Sequence, residues 1–247
     1  MTHRAAIDEG PLGLLAGSAA PLSAARGSDL DITTALPRAV APPPVVAETP
    51  LPPRFILSID GVGSYLVLRG DRVIIGRAGP GSLADLPLVS DLPEQAADIV
   101  RRGEDYFLTA AVDAAIAQQP VRQALLNSGD RIELGRRVRF TFVRPSRKSD
   151  SAFLDLAPGL RTSGDVRRVI LAGGPILLGG ASDCHVPVRG ANVVISERGG
   201  RWAARVVGPG STPSLPLALG QIVDLPGVRM SIQPLPAGSS AGWFAGS

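Results

Sequence analysis

One arrangement of short apolar segments occurs twice in this chain, in the same order, and that repetition restricts the fold more than any local propensity does. Leu66-Val67-Leu68, Gly70-Asp71 and Val73-Ile74-Ile75-Gly76 are echoed by Val169-Ile170-Leu171, Gly173-Gly174 and Ile176-Leu177-Leu178-Gly179. Further on, Leu86-Pro87-Leu88 is matched by Val186-Pro187-Val188, and Ile99 and Tyr106 by Ile195 and Trp202. Val138, Phe140 and Phe142 are matched by Val228, Met230 and Ile232, and the offset drifts from 103 to 90 residues along the way. Each correspondence alone is weak, but their shared order marks a duplicated unit.

Within each copy the apolar residues alternate with a period of two. Phe55, Leu57 and Ile59 interleave with Ile56, Ser58 and Asp60, and Val138, Phe140 and Phe142 with Arg137, Arg139 and Thr141. That is the spacing of strands with two unlike faces. Gly70-Asp71 is a tight-turn signal between two such runs. The 29 glycines and 23 prolines suit many short elements joined by turns. The expected fold is therefore all-β: two tandem antiparallel β-sandwiches, residues 54–145 and 151–236, each of a size that can bury a core of its own. Residues 1–53 are rich in Ala, Pro, Ser and Gly and end in Pro-rich stretches at 42–44 and 50–53. They read as a disordered tail, although Leu12 to Ala25 has room for a short helix and Asp29 to Thr34 for a docking motif. Residues 237–247 read as a C-terminal tail.

Composition excludes several classes of function. Lys and Arg total 25 against 22 Asp and Glu, and Lys148 is the one Lys. Arg101-Arg102, Arg136-Arg137 and Arg167-Arg168 stand as separate pairs with few aromatics near them, so nucleic acid is not the expected partner. The single Cys184 permits no intrachain disulfide, and Cys184-His185 lacks a third or fourth ligand at metal spacing, so neither a metal nor another cofactor is expected. The apolar stretch from Pro11 to Ala25 is broken by Pro, Gly and Ser, which makes it neither a signal peptide nor a membrane span and leaves the cytoplasm as the expected location. His3 lies in the tail and His185 in the second copy, no carboxylate pair stands at a telling spacing, and the Gly-rich run from Gly76 to Gly81 lacks the residues of a nucleotide loop. No enzyme is expected.

In the first copy, Ile75-Gly76-Arg77, then Ala84-Asp85-Leu86-Pro87-Leu88, then Gly129-Asp130-Arg131-Ile132-Glu133-Leu134-Gly135 stand in an order that resembles the landmarks of a forkhead-associated (FHA) domain. The resemblance covers roughly ninety residues and implies an FHA/SMAD-like sandwich whose loops at one end grip a phosphothreonine peptide. It assigns Arg77 to the phosphopeptide, a role that suits the fixed fork of guanidinium donors. In that family a Ser-Arg-x-His segment follows, the Ser donating to the phosphate and the His shaping the loop. Here Pro93-Glu94-Gln95-Ala96 falls in its place: Pro93 for the Ser, Glu94 for the Arg and Ala96 for the His. The family's Asn-Gly, whose Asn binds the peptide backbone, falls at Ala117-Gln118. Ser90, three residues upstream of Pro93, is a possible substitute hydroxyl or merely part of a Ser-Asp turn. In the second copy Gly180 stands where Arg77 would be, and the span from Val188 to Ile195 is shorter than that from Leu88 to Ile99.

These residues leave three readings open. The first is a non-enzymatic protein–protein interaction module that does not depend on phosphate. The second is a phosphothreonine reader acting through Arg77 in bacterial-type Ser/Thr kinase signalling. The third is a structural subunit of a larger assembly. All three imply a protein partner, phosphorylated in the second, with no role for a membrane; the oligomeric state stays open.

Overall fold

A computed structural model describes residues 50–146, 149–162 and 166–236. The expectations for the two tails fall on residues 1–49 and 237–247, outside the described ones. At the border one of them needs correcting: Leu51 is buried in a core, and its carbonyl accepts a hydrogen bond from Arg69 Nη1 at 2.8 Å, so the packed chain begins before Arg54.

Among the described residues every regular element is a strand. The first copy contributes β1 (Arg54–Ile59), β2 (Gly63–Arg69), β3 (Arg72–Arg77), β4 (Leu86–Leu88), β5 (Ala97–Arg102), β6 (Asp105–Ile116), β7 (Gln119–Leu125), β8 (Arg131–Leu134) and β9 (Val138–Val143). The second contributes β10 (Ala152–Leu156), β11 (Arg168–Ala172), β12 (Ile176–Gly179), β13 (Val186–Pro187), β14 (Val193–Arg198), β15 (Arg201–Val206), β16 (Leu215–Leu217), β17 (Ile222–Leu225) and β18 (Val228–Pro234). The alternation of β9 is realised directly, with Val138, Phe140 and Phe142 buried and Arg137 and Arg139 exposed.

The two copies do not close separately. The long sheet runs β17-β18-β1-β2-β11-β10-β9-β8-β6-β5-β3-β4, with β7 on β6, while β13-β12-β14-β15-β16 form a second sheet. Strands β1 and β2 thus join the last strand of the second copy, Phe55 pairing with Pro234 and Ile59 with Met230. Strands β10 and β11 reciprocally join the last strand of the first, Phe153 pairing with Val143 and Leu156 with Phe140. Each copy has lent its first two strands to the other's sandwich. The exchanged pairs meet where β2 runs parallel to β11, and there the repeated triplets lie side by side: Leu66 against Val169, Val67 against Ile170, Leu68 against Leu171. Parallel contacts also join β3 to β4 and β12 to β13, so the sheets are mixed rather than purely antiparallel.

The physical reason lies in the composition of the exchanged strands. Strands buried on both faces read as continuous apolar runs instead of alternating ones. Tyr65-Leu66-Val67-Leu68 and Val169-Ile170-Leu171 are such runs, and both faces are used. Ile56, Leu66, Leu68, Leu154, Val169 and Leu171 enter the first core with Ile75, Leu108 and Phe142. Phe55, Leu57, Tyr65, Val67, Phe153 and Ile170 enter the second with Ile176, Trp202 and Met230. Arg168 clasps the shared sheet to the smaller one. Its guanidinium is bidentate on Asp155 (2.6 and 3.1 Å), donates to the His185 carbonyl (2.6 Å) and lies 3.9 Å from the Phe153 ring centroid.

The copies differ at β6. Its pairing shifts between Thr109 and Ala114, a bulge that lets one strand bond to β5 and then cross to cover the edge of β8. The equivalent β15 ends at Val206, and β17 pairs with β18 alone.

Candidate functional site

Arg77 ends β3 with its side chain exposed. Its backbone is tied on both sides: Arg77 N–H donates to the Pro93 carbonyl (2.9 Å), and the Arg77 carbonyl accepts from Ser82 Oγ (2.8 Å). Gly76 is needed because the loop after β4 crosses directly over it; a Cβ there would run into the backbone carbonyl of Glu94. Ala96 N–H, bonded to the Ile75 carbonyl at 2.8 Å, closes the crossing. The Gly-Arg strand end and the 93–96 loop, aligned from sequence, are thus brought together.

The loop presents a Pro, an acid and a methyl at the positions singled out from sequence. Pro93 and Glu94 are exposed, and Ala96 is fully buried where a larger ring would have had to fit. The Ser90 hydroxyl accepts a long contact from Leu92 N–H (3.4 Å), a Ser turn of the bland kind. Arg77 has no ion pair or side-chain hydrogen bond among the described residues, so neither Asp85 nor Glu94 neutralises it. Asp85 is engaged elsewhere. Its N–H donates to the Ile74 carbonyl and its Oδ2 accepts from Ile74 N–H, both at 2.9 Å, which locks β4 beside β3.

Ala117-Gln118 forms the tip of the β6–β7 hairpin, with φ of 48° and 70°. Two consecutive left-handed residues are the geometry that Asn-Gly supplies at least cost, so the family's dipeptide would fit here. Neither Ala nor Gln relieves the conformation as Gly would, and each pays roughly 1 kcal/mol or more for it. No Asn side chain stands at this tip.

Three neighbours of the loop escaped sequence reasoning. Leu83 and Val89, on either side of β4, are 79% and 63% exposed. The turn between β8 and β9 touches the loop, since a Cβ on Gly135 would sit 3.3 Å from Leu92 Cδ2. A segment of the second copy covers the outer edge of β4: Val89 N–H donates to the Arg161 carbonyl (2.9 Å), and Leu88 bridges to Thr162.

In the second copy Gly180 follows β12, and residues 188–192 make a short connection with no loop over Gly179. There a Cβ would meet the ends of the Asn192 and Cys184 side chains instead of backbone. His185 occupies the place of Asp85 and copies its bonding: its N–H donates to the Leu177 carbonyl (2.8 Å) and Nδ1 accepts from Leu177 N–H (3.0 Å). With Nδ1 accepting, the proton sits on Nε2, which faces the Ser151 carbonyl and Ser149 Oγ, each at 3.2 Å. Ser149 and His185 are therefore no nucleophile and base, because the nitrogen facing the hydroxyl has no lone pair to accept its proton. Burial, reinforced by the Arg168 guanidinium, holds the His185 pKa below its ordinary value. Burial raises that of the Cys184 thiol, away from a reactive thiolate. Among the described residues no group of three or more His, Cys, Asp and Glu is placed to hold a metal ion, and no helix is long and apolar enough to cross a membrane.

Two grooves are also present. One of about 510 Å³ is lined by Asp113, Ala114, Ala115, Arg122, Glu133 and Gly135, the last in the turn that touches Leu92. The other, about 310 Å³, lies among Gly173, Gly174, Glu197 and Trp202, beside Arg69, which stacks 5.3 Å from the Trp202 ring centroid and pairs with Glu197 at 2.7 Å. Neither gathers catalytic groups.

Solved structures similar to this chain include FHA domains. One, from structural and functional work on phosphothreonine-dependent FHA interactions, is 27% identical, over 33% of this chain and 88% of that one, with a TM-score of 0.26. Another, the FhaA FHA domain complexed with the intracellular domain of Rv3910, is 28% identical, over 33% of this chain and 91% of that one, with a TM-score of 0.25. No protein-family model and no curated protein matches the chain.

Proposed function

We propose that this chain is a non-enzymatic protein–protein interaction module on an FHA-like scaffold, and that it engages its partner at the Arg77 end of the first sandwich without requiring phosphate. The observation that carries this reading is the exchange of roles in the loop over Gly76: a Pro93 carbonyl, an exposed Glu94 carboxylate and a buried Ala96 methyl surround the end of β3. A phosphothreonine placed there would find one guanidinium, no hydroxyl donor at position 93 and a like charge at Glu94. Each missing charge-assisted hydrogen bond costs about 1.5–3 kcal/mol, or one to two decades of affinity, before the repulsion is counted. Contacts that avoid the phosphate avoid both losses.

A second reading, phosphothreonine recognition through Arg77, is favoured by that guanidinium's exposure and lack of a partner. One experiment separates them. The full chain is titrated calorimetrically with a phosphothreonine peptide library and with the same peptides dephosphorylated. The proposal expects binders whose affinity survives dephosphorylation. Tight binding that disappears with the phosphate and with Arg77→Ala would overturn it in favour of the second reading.

A further inference from the structure

Strand β17 stands at one end of the long sheet, and among the described residues no strand pairs with its outer side. Its counterpart β8 is covered there. Ala114, Ala115 and Ile116 of β6 pair antiparallel with Leu134, Glu133 and Ile132, and Ala117 N–H donates to the Arg131 carbonyl at 3.1 Å. Strands β17 and β18 are joined by Pro226 and Gly227 alone, with Leu225 opposite Val228. In a two-residue hairpin the closing pair exchanges its hydrogen bonds, and the alternation then turns the backbone N–H and C=O of Asp224 and Ile222 outward. Counted back from the closing pair Leu134–Val138, Glu133 and Arg131 hold those places in β8.

The side chains at this edge favour a partner strand of one kind. An edge guarded against pairing carries charge, whereas Ile222, in the place of Arg131, is apolar and 56% exposed. Leu219, 40% exposed, joins it, since Leu219 bridges to Ile232 and Ile222 pairs with Ser231. The charges form a row. Arg229 Nε on β18 lies 3.7 Å from Asp60 Oδ2, just after β1, and 3.3 Å from Asp224 Oδ1 on β17. Acid, base and acid thus alternate across three neighbouring strands, two exposed carboxylates share one guanidinium, and the row stops at the open edge. A base on the next strand would continue it. A second β17 cannot supply one, because residues 219–226 contain no Lys or Arg.

We propose that the outer edge of β17 receives an extended protein segment as an added antiparallel strand, reading Lys or Arg, any residue, then a large apolar residue. The base meets Asp224, and the apolar side chain, two places later, covers Ile222 and Leu219; backbone hydrogen bonds supply the rest of the affinity. This surface is additional to the Arg77 end and does not rest on it. The full chain is titrated calorimetrically with synthetic nine-residue peptides carrying Lys-Thr-Ile or Glu-Thr-Ile at the centre of an otherwise uncharged stretch. The Lys peptide should bind at least about threefold more tightly than the Glu peptide, as expected of a cross-strand charge pair, and the gap should narrow as salt rises. Methylating the backbone nitrogens of its Lys and Ile, which would face β17, should abolish binding. Asp224→Lys should reverse the preference, and Ile222→Arg, which copies Arg131, should weaken both peptides; thermal unfolding checks that each variant is folded. Equal binding of the two peptides, no binding of either, undiminished binding of the methylated peptide, or an unchanged preference in folded Asp224→Lys would overturn the proposal. Dimerisation of the free chain that Ile222→Arg removes would assign the edge to a second copy and overturn it as well. Arg77→Ala should leave the titration unchanged; loss of binding there would place the peptide at the Arg77 end, refuting this proposal and leaving the interaction-module reading intact.

Discussion

Asp85 in the first copy and His185 in the second do the same work with different chemistry. Each donates its N–H to a carbonyl of the neighbouring strand and accepts that residue's N–H on its side chain, through Oδ2 in one case and Nδ1 in the other. The latch is retained because an unpaired backbone N–H at this depth would cost as much as a lost hydrogen bond. The site shows the opposite behaviour: Arg77 and the loop over Gly76 have no counterpart at Gly180 and residues 188–192. The latch is common to both regions, whereas the loop over Gly76 with its exposed Arg77 belongs to the first, and the second supplies packing and one bordering segment.

The most severe test of that division is to separate the copies. A fragment spanning residues 50–146 loses Ala152, Leu154, Leu156, Val169 and Leu171 from the first core and uncovers the second-core face of β1 and β2. At about 1.5–3 kcal/mol per buried side chain, the loss exceeds the whole stability of an ordinary domain. The fragment is expected to be unfolded or to associate through its β1–β2 hairpin, as read by circular dichroism and size-exclusion mass. Cooperative unfolding of a monomeric fragment would show that the exchange is dispensable.

Next comes the pair of glycines. At Gly76 a methyl group meets the Glu94 backbone carbonyl, whereas at Gly179 it meets the movable ends of Asn192 and Cys184. Gly76→Ala should therefore cost about 2 kcal/mol more than Gly179→Ala in chemical denaturation, toward the upper end of overpacking penalties. Equal costs would mean that the loop over Gly76 gives way freely.

The latch residues should differ in their response to pH. His185 has a pKa below its ordinary 6.5 in the folded chain, so at intermediate pH the unfolded chain binds the extra proton. Its contribution to stability is complete above pH 6.5 and declines as pH falls from there toward the folded value. The slope cannot exceed about 1.4 kcal/mol per pH unit, the limit for one proton. Stability measured from pH 7.5 down to 5.5 should fall in the parent chain and stay flatter in His185→Asn; parallel curves would assign the slope to other groups.

The smallest effect is a gain. Replacing Ala117-Gln118 by Asn-Gly, which suits φ of 48° and 70°, should stabilise the hairpin by about 1 kcal/mol, or a few degrees in Tm. A drop in Tm would mean that the two side chains make contacts worth more than the strain.

Much of the site is local and was open to sequence reasoning. Gly76-Arg77 at a strand end, the unfavourable Pro93 and Glu94, and the turn at Ala117-Gln118 follow from short motifs and their order. Leu92 against Gly135, Arg161 beside Val89, and the burial of Leu51 were not legible, because each joins segments far apart in the chain with no pattern linking them.

The same distinction governs the whole protein. Period-two patterning determined that the described region is all-β and which residues of each strand are apolar. It could not determine which copy's sheet receives β1, β2, β10 and β11. An apolar run buried on both faces satisfies the alternation whether it closes its own sandwich or its neighbour's, and the duplicated strands offer nearly the same partners in either place. Only the tertiary packing, with β2 laid parallel to β11 and a core on each side, selects the exchange and carries a segment of the second copy to the Arg77 end of the first.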